Sequence, residues 1–205
     1  MSTTVRFWLD PLCPYCWVTS LWLRDVAPQR DLEISWQPIS LLVKNELPED
    51  SPWYDVAMRG FKMLRLLEAV RAEVGEQAVG DLYMEFGRRI HHDGDTEFDM
   101  ADALAAVGLP AGLAPRFDDE SLDDEVLRRH REGLALVGND VGTPIIGIPG
   151  RDGTEVGVFG PVITSKPEGD DALALWDASV TLARTPQFFE LKRTRTSGPN
   201  AGPRP

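Results

Sequence analysis

The stretch Cys13-Pro14-Tyr15-Cys16 holds the only two cysteines of this 205-residue chain. Side chains alternate over residues 5–9 as they do in a half-buried strand, and apolar positions recur at helical spacing from residue 18 onward. The first cysteine therefore falls at a strand-to-helix turn, and the second lies one turn further along the helix. This placement predicts a dithiol redox centre.

The predicted position of Cys13 favours its thiolate form. Backbone N–H groups in the first turn of a helix have no partner within the helix, and the helix dipole places partial positive charge there. Pro14 suits the first helical position because it has no N–H and its φ angle is already helical. In such motifs the pKa of the outer cysteine falls from about 8.5 to roughly 3.5–7.5. We assign Cys13 as the nucleophile and Cys16, expected to be less exposed, as the resolving thiol.

Two other interpretations of the cysteine pair are weaker. A closed zinc site usually needs four Cys or His ligands. This chain adds only His91, His92 and His130, with neither a second C-x-x-C pair nor an H-x₃₋₅-H pair. A purely structural disulfide suits a small secreted domain better than a chain of this length. We therefore expect a redox-active pair and no metal.

Composition and charge indicate which kinds of molecule this protein is not expected to bind. The formal net charge of −12 argues against a nucleic-acid backbone or an anionic membrane as the main partner. The first strand begins so early that no basic and apolar export segment precedes it, and no apolar run reaches transmembrane length. We expect a cytoplasmic protein acting on small molecules or proteins, where a dithiol is more often catalytic than structural.

The order of the predicted elements is that of a thioredoxin-like fold with an insertion. A second strand over residues 32–37 completes a right-handed βαβ unit with parallel strands, and Pro38 is expected to end the pairing. Residues 41–140 show only helical periodicity, with helix caps predicted at Asp99 and Ser121. Strand patterns return over residues 144–148 and 155–159, joined by a predicted turn, and a last helix follows.

We therefore predict an α/β fold with a thioredoxin-like core and an inserted all-helical domain. The core comprises residues 1–40 and 141–185, and the insertion comprises residues 41–140. The Gly- and Pro-rich C-terminal tail, residues 186–205, is expected to be partly disordered.

This order of elements predicts a specific structural role for Thr143-Pro144. Thioredoxin-like folds place a cis-proline opposite the dithiol, at the start of the third core strand. We predict a cis peptide bond before Pro144, although X-Pro bonds in general are cis in only about 5–6% of cases. The Thr143 backbone would then offer hydrogen bonds to an extended substrate or thiol lying across Cys13.

Residues 7–17 resemble the DsbA-like branch of the thioredoxin superfamily. Further segments are similar to the actinobacterial mycothiol-dependent nitroreductases, and together the matching segments span nearly the whole chain. These segments are residues 40–46, 88–91, 141–144, 159–162 and 188–196. Where that family commonly has Trp between the proline and the second cysteine, this chain has Tyr15.

The resemblance implies a cytosolic thiol-disulfide oxidoreductase that takes electrons from mycothiol and reduces small, nitroaromatic-like substrates. Its partners would be a small-molecule thiol and a small aromatic compound, with no nucleic acid or membrane; a homodimer is left open. Cys13 and Cys16 would be catalytic. The thiol or substrate site would be lined by Pro14, Tyr15, Asn45, Tyr54, His91, Thr143 and Pro144.

Ordinary structural roles compete at several of these positions. Asn45 could cap the next helix, His91 could satisfy a buried carbonyl, and Tyr54 could belong to the core. Basic residues near the end of the chain could attract an anionic cofactor or merely keep the tail solvated: Lys192, Arg193 and Arg195.

Other functions also remain open, because a fold does not by itself determine a function. One alternative is a protein-disulfide oxidoreductase, and another is a redox sensor without turnover. A third is a thiol-dependent isomerase or transferase of the kappa-class or hydroxychromene carboxylate isomerase type. Those enzymes usually have Ser where Cys13 stands and lack the second thiol.

Overall fold

A four-stranded mixed sheet carries the cysteine motif at the end of a central strand. The computed structural model describes residues 2–205, so Met1, the first residue of the predicted core range, lies outside the described residues. The spatial order of the strands is β2-β1-β3-β4. The strands are β1 (Thr3–Leu9), β2 (Leu32–Pro38), β3 (Ile145–Pro149) and β4 (Glu155–Phe159).

The pairing confirms the predicted βαβ unit and hairpin. β1 runs parallel to β2, with Leu9 opposite Pro38, so the pairing includes Pro38, which was expected to end it. β1 pairs with β3 in the antiparallel sense, and β3 pairs with β4 in the same way. The sheet therefore brings the carboxyl end of β1, just before Cys13, beside the amino end of β3, just after Pro144.

Helices surround this sheet. All secondary-structure elements between β2 and β3 are helices, as the periodicity of residues 41–140 predicts. No helix within residues 2–205 combines the length and apolar character needed to cross a lipid bilayer. Arg89–Asp93 continues the fourth helix as a π-helical turn. The α-helices are α1 (Pro14–Val26), α2 (Leu41–Lys44), α3 (Tyr54–Glu73), α4 (Glu76–Arg88), α5 (Met100–Ala106), α6 (Asp123–Val137) and α7 (Gly169–Ala183).

One predicted cap is confirmed and one is wrong. The Asp99 carboxylate accepts hydrogen bonds from two N–H groups in the first turn of α5. Ser121 does not cap α6, because α6 begins at Asp123, after a short 3₁₀ turn. Asp119 caps that turn instead, since its side chain accepts the Ser121 N–H. The carboxylate of Asp119, two residues before Ser121, therefore acts as the cap that was predicted for the serine.

One apolar cluster extends from the sheet into the inserted helices. It includes Phe7 of β1, Trp17 of α1 and Phe86 of α4, all fully buried. Gly87 allows α4 to approach Trp17 this closely, because a Cβ atom there would lie 2.0 Å from the indole ring. The domain boundaries near residues 41 and 140 stay a prediction, since the core is continuous across them.

A buried histidine ties the start of the insertion to α6. His130 accepts a hydrogen bond from the Ser40 N–H, with 3.1 Å between N and Nδ1. Burial lowers the pKa of His130 to about 4, and the nearby charges of Lys44 and Arg131 act in the same direction. The side chain is therefore neutral near pH 7, as its role as an acceptor requires.

This contact predicts a specific loss of stability in acid. An unfolded histidine takes up a proton near pH 6.5, whereas folded His130 resists protonation until about pH 4, so stability should fall as pH decreases between these values. Asn in place of His130 keeps an acceptor and does not titrate. We expect His130→Asn to remove about 2 kcal/mol of this acid-induced loss in urea unfolding measured from pH 7 to 4. Equal pH dependence in the variant and the wild type would contradict the assignment.

Candidate active site

Cys13 lies at the predicted strand-to-helix turn and is the N-cap residue of α1. Pro14 occupies the first helical turn, and the Cys13 Sγ accepts a hydrogen bond from the Cys16 N–H at 3.4 Å. Both cysteines are free thiols. Cys16 is fully buried, whereas Cys13 keeps 5% of its surface exposed. An attacking group from solvent therefore meets Cys13 first.

The pKa values of the two thiols are shifted in opposite directions. The hydrogen bond from the Cys16 side chain is the largest cause that lowers the pKa of Cys13. The Thr143 hydroxyl and the Cys16 backbone N–H lower this pKa further, and burial opposes them. Burial also raises the pKa of Cys16 well above its usual range. The pair is thus arranged as one ionisable thiol with a protonated neighbour that donates to it.

The Thr143-Pro144 peptide bond is cis, as predicted. The sequence reasoning assigned hydrogen bonding to the Thr143 backbone and missed its side chain, which donates to the Cys13 Sγ at 3.1 Å. The Thr143 hydroxyl is a direct stabiliser of the Cys13 thiolate, because hydrogen bonds to a charged form favour it. Sequence spacing cannot reveal this contact, since 130 residues separate the partners.

A second cis peptide bond, Gly160-Pro161, was not predicted. The Gly160 N–H donates to the Pro144 carbonyl at 2.8 Å. The Pro161 carbonyl accepts the Thr19 hydroxyl of α1 at 3.0 Å. These two bonds connect the end of the hairpin to both the Thr143-Pro144 segment and the helix that carries the cysteines.

Asp10 is a buried carboxyl at the base of the motif. Its Oδ1 accepts the Leu12 N–H at 2.9 Å and its Oδ2 accepts the Leu41 N–H at 2.7 Å, which joins the active-site turn to the start of the insertion. Burial raises the pKa of Asp10 to about 6, although the two backbone hydrogen bonds oppose the rise. Its backbone also hydrogen bonds to Cys16. The sequence analysis gave Asp10 no role, although an acid between a strand and a C-x-x-C motif is visible there.

His91 lies directly against the active-site turn. Its Nε2 is 2.9 Å from the Pro11 carbonyl oxygen, and its ring stacks on Trp17 with 5.8 Å between ring centroids. The Trp17 indole N–H donates to His92 Nε2 at 2.9 Å. Burial lowers the pKa of His91 to about 4, so the ring is neutral near pH 7 and donates its Nε2 hydrogen to Pro11. His91 therefore hydrogen bonds to a carbonyl oxygen, which is the structural role that was set against ligand binding for this residue. The contact lies beside the dithiol.

Asn45 and Tyr54 lie at the edge of the insertion. Asn45 ends α2, one helical turn after Leu41, whose N–H binds Asp10. Its alternative role as the cap of the next helix is wrong, because Trp53 holds the N-cap position of α3. Tyr54 is the first residue of α3, half-buried, and packs against the apolar cluster. Contact of either residue with a ligand stays a prediction.

Tyr15, between the two cysteines, is half-buried and packs against the same cluster. The Arg195 guanidinium lies over its ring, 5.0 Å from the centroid. The basic tail residue that the sequence analysis could not assign therefore lies at the dithiol motif.

The Thr143 hydroxyl gives a direct test of thiolate stabilisation. We expect Thr143→Val to slow iodoacetamide alkylation of Cys13 about tenfold at pH 6, because a hydrogen bond to a charged group contributes about 1.5–3 kcal/mol. Intact mass spectrometry over time measures the rate, and buried Cys16 should stay unmodified. Thr143→Ser is the matched control and should react at the wild-type rate. Equal rates for the Val and Ser variants would exclude the hydroxyl as a stabiliser.

Comparison with solved structures shows the fold. Cytosolic disulfide reductase DsbM from Pseudomonas aeruginosa superposes with a TM-score of 0.60 at 18% identity, covering 88% of this chain and 100% of that one. Probable DsbA oxidoreductase SCO1869 from Streptomyces coelicolor gives a TM-score of 0.56 at 16% identity, covering 95% and 94% of the two chains. The fold is therefore the predicted thioredoxin-like core with helices inserted between its strands, as in DsbA-like proteins.

Sequence comparison shows the family. Uncharacterized protein Rv2286c of Mycobacterium tuberculosis is 32% identical over 199 residues, which are 95% of this chain and 83% of that protein. Residues 12–193 match the model of the family described as Rv2466c-like, mycothiol-dependent nitroreductase Rv2466c. The match includes both cysteines and the Thr143-Pro144 segment. The chain is a thiol-dependent oxidoreductase and belongs to the Rv2466c-like family of mycothiol-dependent nitroreductases.

Proposed function

We propose that this enzyme takes electrons from mycothiol through Cys13 and Cys16 and passes them to small, nitroaromatic-like acceptors in the cytoplasm. The observation that carries the proposal is Cys13 Sγ, which has a lowered pKa, receives the Thr143 hydroxyl at 3.1 Å and is the more exposed thiol of the pair. The family match supports mycothiol as the donor. The cytosolic neighbour DsbM supports the compartment.

The reductive half of the cycle consumes two mycothiol molecules. A mycothiol thiolate attacks Cys13 Sγ of the Cys13–Cys16 disulfide, because Cys13 is the sulfur nearer to solvent. The Cys16 thiolate leaves and takes up a proton. A second mycothiol attacks the mixed disulfide at the mycothiol sulfur, which releases mycothiol disulfide and Cys13 as the thiolate. Two electrons have then passed from two thiols to the enzyme.

The oxidative half returns these electrons to an acceptor. The dithiol loses two electrons and two protons and re-forms the Cys13–Cys16 disulfide, while a nitro group that gains them becomes a nitroso group and water. Tyr15 offers a half-buried ring next to the reacting sulfur, and aromatic surfaces of this kind suit a flat apolar substrate. Pro14, Asn45, Tyr54, His91, Thr143 and Pro144 stay our proposed lining of the site.

Asp10 is the group we assign to proton transfer at Cys16. In a mixed disulfide on Cys13, Cys16 attacks only after it has lost a proton, and burial makes this loss unfavourable. Asp10 is fully buried at the motif, its backbone hydrogen bonds to Cys16, its charge acts on Cys13, and its carboxyl has a pKa of about 6. A carboxyl with this pKa is mostly ionised at neutral pH and can accept the proton.

The electron donor can be tested directly. Enzyme, mycothiol, NADPH and mycothiol disulfide reductase are incubated with a nitroaromatic acceptor, and NADPH consumption is followed by absorbance. We expect consumption with the wild type and none above background with Cys13→Ser. Cys16→Ser should accumulate a mycothiol adduct on Cys13, seen by intact mass, because no resolving thiol remains.

Parallel reactions separate this proposal from its alternatives. Glutathione or thioredoxin replaces mycothiol in one set, and insulin replaces the nitroaromatic in another. Nitroaromatic turnover restricted to mycothiol supports the proposal. Insulin reduction without nitroaromatic turnover would instead establish a protein-disulfide oxidoreductase. Wild-type consumption equal to that of Cys13→Ser would contradict the proposed donor.

The role of Asp10 predicts a change in pH dependence. We expect Asp10→Asn to slow release of the thiol from a preformed Cys13 mixed disulfide by about a hundredfold, the lower end of general-base effects. The wild-type rate should decline below about pH 6, as Asp10 becomes protonated, and the variant should lack this step. Stopped-flow measurement of thiol release checks both, and Asp10→Glu, which keeps the carboxyl, is the control. A variant that is slower but keeps the step would assign Asp10 to structure only.

A further inference from the structure

The C-terminal segment after α7, residues 186–205, differs in charge from the rest of the chain. It contains four basic residues and one acid, Glu190, and so has a net charge of +3. Since the whole chain carries −12, the other residues carry −15. We call this segment the C-terminal strap. Its basic residues are Lys192, Arg193, Arg195 and Arg204.

The strap contains no helix or strand, yet it is fixed to the body of the protein at separated points. The Arg204 guanidinium forms two hydrogen bonds with the Asp93 carboxylate, at 2.9 and 3.0 Å. The Asn200 N–H donates to the Thr164 carbonyl at 2.7 Å. Asp93 ends the π-helical turn after His91 and His92, and Thr164 follows the hairpin. The strap therefore bridges the inserted helices and the sheet-bearing part of the chain.

A third attachment lies at the dithiol itself. The Arg195 guanidinium is 5.0 Å from the centroid of the Tyr15 ring, within the range of a cation–π interaction. Tyr15 stands between Cys13 and Cys16 in the sequence. The strap thus places a positive charge over a residue of the C-x-x-C motif in a strongly acidic protein. A cation at such a point attracts anions locally, even where the net charge repels them.

We propose that the C-terminal strap holds Arg195 at the mouth of the dithiol site, where Arg195 is a specificity-determining residue that favours acceptors with negative charge near the reacting atom. The nitro and carboxylate oxygens of substituted nitroaromatics carry such charge. Arg195 acts on the choice of acceptor and does not take part in bond making. This inference deepens the proposed function and rests on it for the reductive role of Cys13.

Two aromatic disulfides of opposite electrostatic character test the proposal without mycothiol. Ellman's reagent, the disulfide of thionitrobenzoate, carries a carboxylate on each ring, whereas dipyridyl disulfide is neutral at pH 7. The Cys13 thiolate attacks either reagent and expels one aryl thiolate, and Cys16 then attacks Cys13 and expels the second. The enzyme loses two electrons and each reagent gains two, so absorbance of the aryl thiol reports the rate.

We expect Arg195→Met to lower the ratio of the Ellman rate to the dipyridyl rate about fivefold at low salt. The dipyridyl rate should stay close to wild type, which shows that fold and dithiol are intact. Arg195→Lys should keep most of the preference because it keeps the charge. Added salt should reduce the ratio in the wild type and should not reduce it in Arg195→Met, where only the repulsion by the net charge is left to be screened. An unchanged ratio in Arg195→Met would overturn the proposal.

Three further variants test whether the position of the positive charge matters in addition to its sign. Arg193→Met removes a positive charge two residues away on the same strap and should lower the ratio less than twofold; a loss as large as in Arg195→Met would overturn the proposal. Arg204→Asp should release the strap and lower the ratio, and addition of Asp93→Arg should restore it by reforming the pair in reverse. No recovery in the double variant would overturn the role of the strap. Because none of these assays contains mycothiol, failure of the proposed donor would not be mistaken for failure here.

Discussion

The account depends on one sulfur atom and the hydrogen bonds that point at it. Cys13 Sγ lies at the start of α1 and receives the Cys16 N–H and the Thr143 hydroxyl. One of these donors comes from the helix and the other lies 130 residues further along the chain, so the thiolate is fully stabilised only when β1 and β3 are paired. The reactivity of the thiol therefore depends on the completed fold.

Burial determines the protonation behaviour of the groups around the dithiol. Burial raises the pKa of Cys16 and of Asp10, and it lowers the pKa of His91. Each shift favours the neutral form of the group, as expected where water is excluded. Cys13 alone has enough donors to outweigh its burial. The result is one readily ionised thiol, Cys13, beside a thiol that stays protonated, which directs attack to Cys13 and leaves Cys16 to resolve.

Much of this arrangement follows from the sequence, because its signals are local. Alternation in β1, the helical spacing after Cys16 and the helix caps are set by neighbouring residues, and the predicted fold followed from them. The family followed from the resemblance of several short segments to its members. The cis bond before Pro144 was predictable only after the fold was assigned. The error at Ser121 was also local, since two capping residues of similar strength, Ser121 and Asp119, lie two positions apart.

What the sequence could not supply is contact between distant residues. The Thr143 hydroxyl, the Asp10 bond to Leu41 and the position of Arg195 each join segments at least 31 residues apart. Burial also depends on the whole fold, so the acidity of Asp10 could not be inferred from its place beside the motif.

The most direct test of the central claim is a titration of the fully reduced wild-type protein by thiolate absorbance near the ultraviolet edge, with its disulfide form as the blank. The account predicts one thiolate that forms below the ordinary cysteine value of about 8.5 and a second that forms well above it. Two thiols that ionise together near that ordinary value would contradict it.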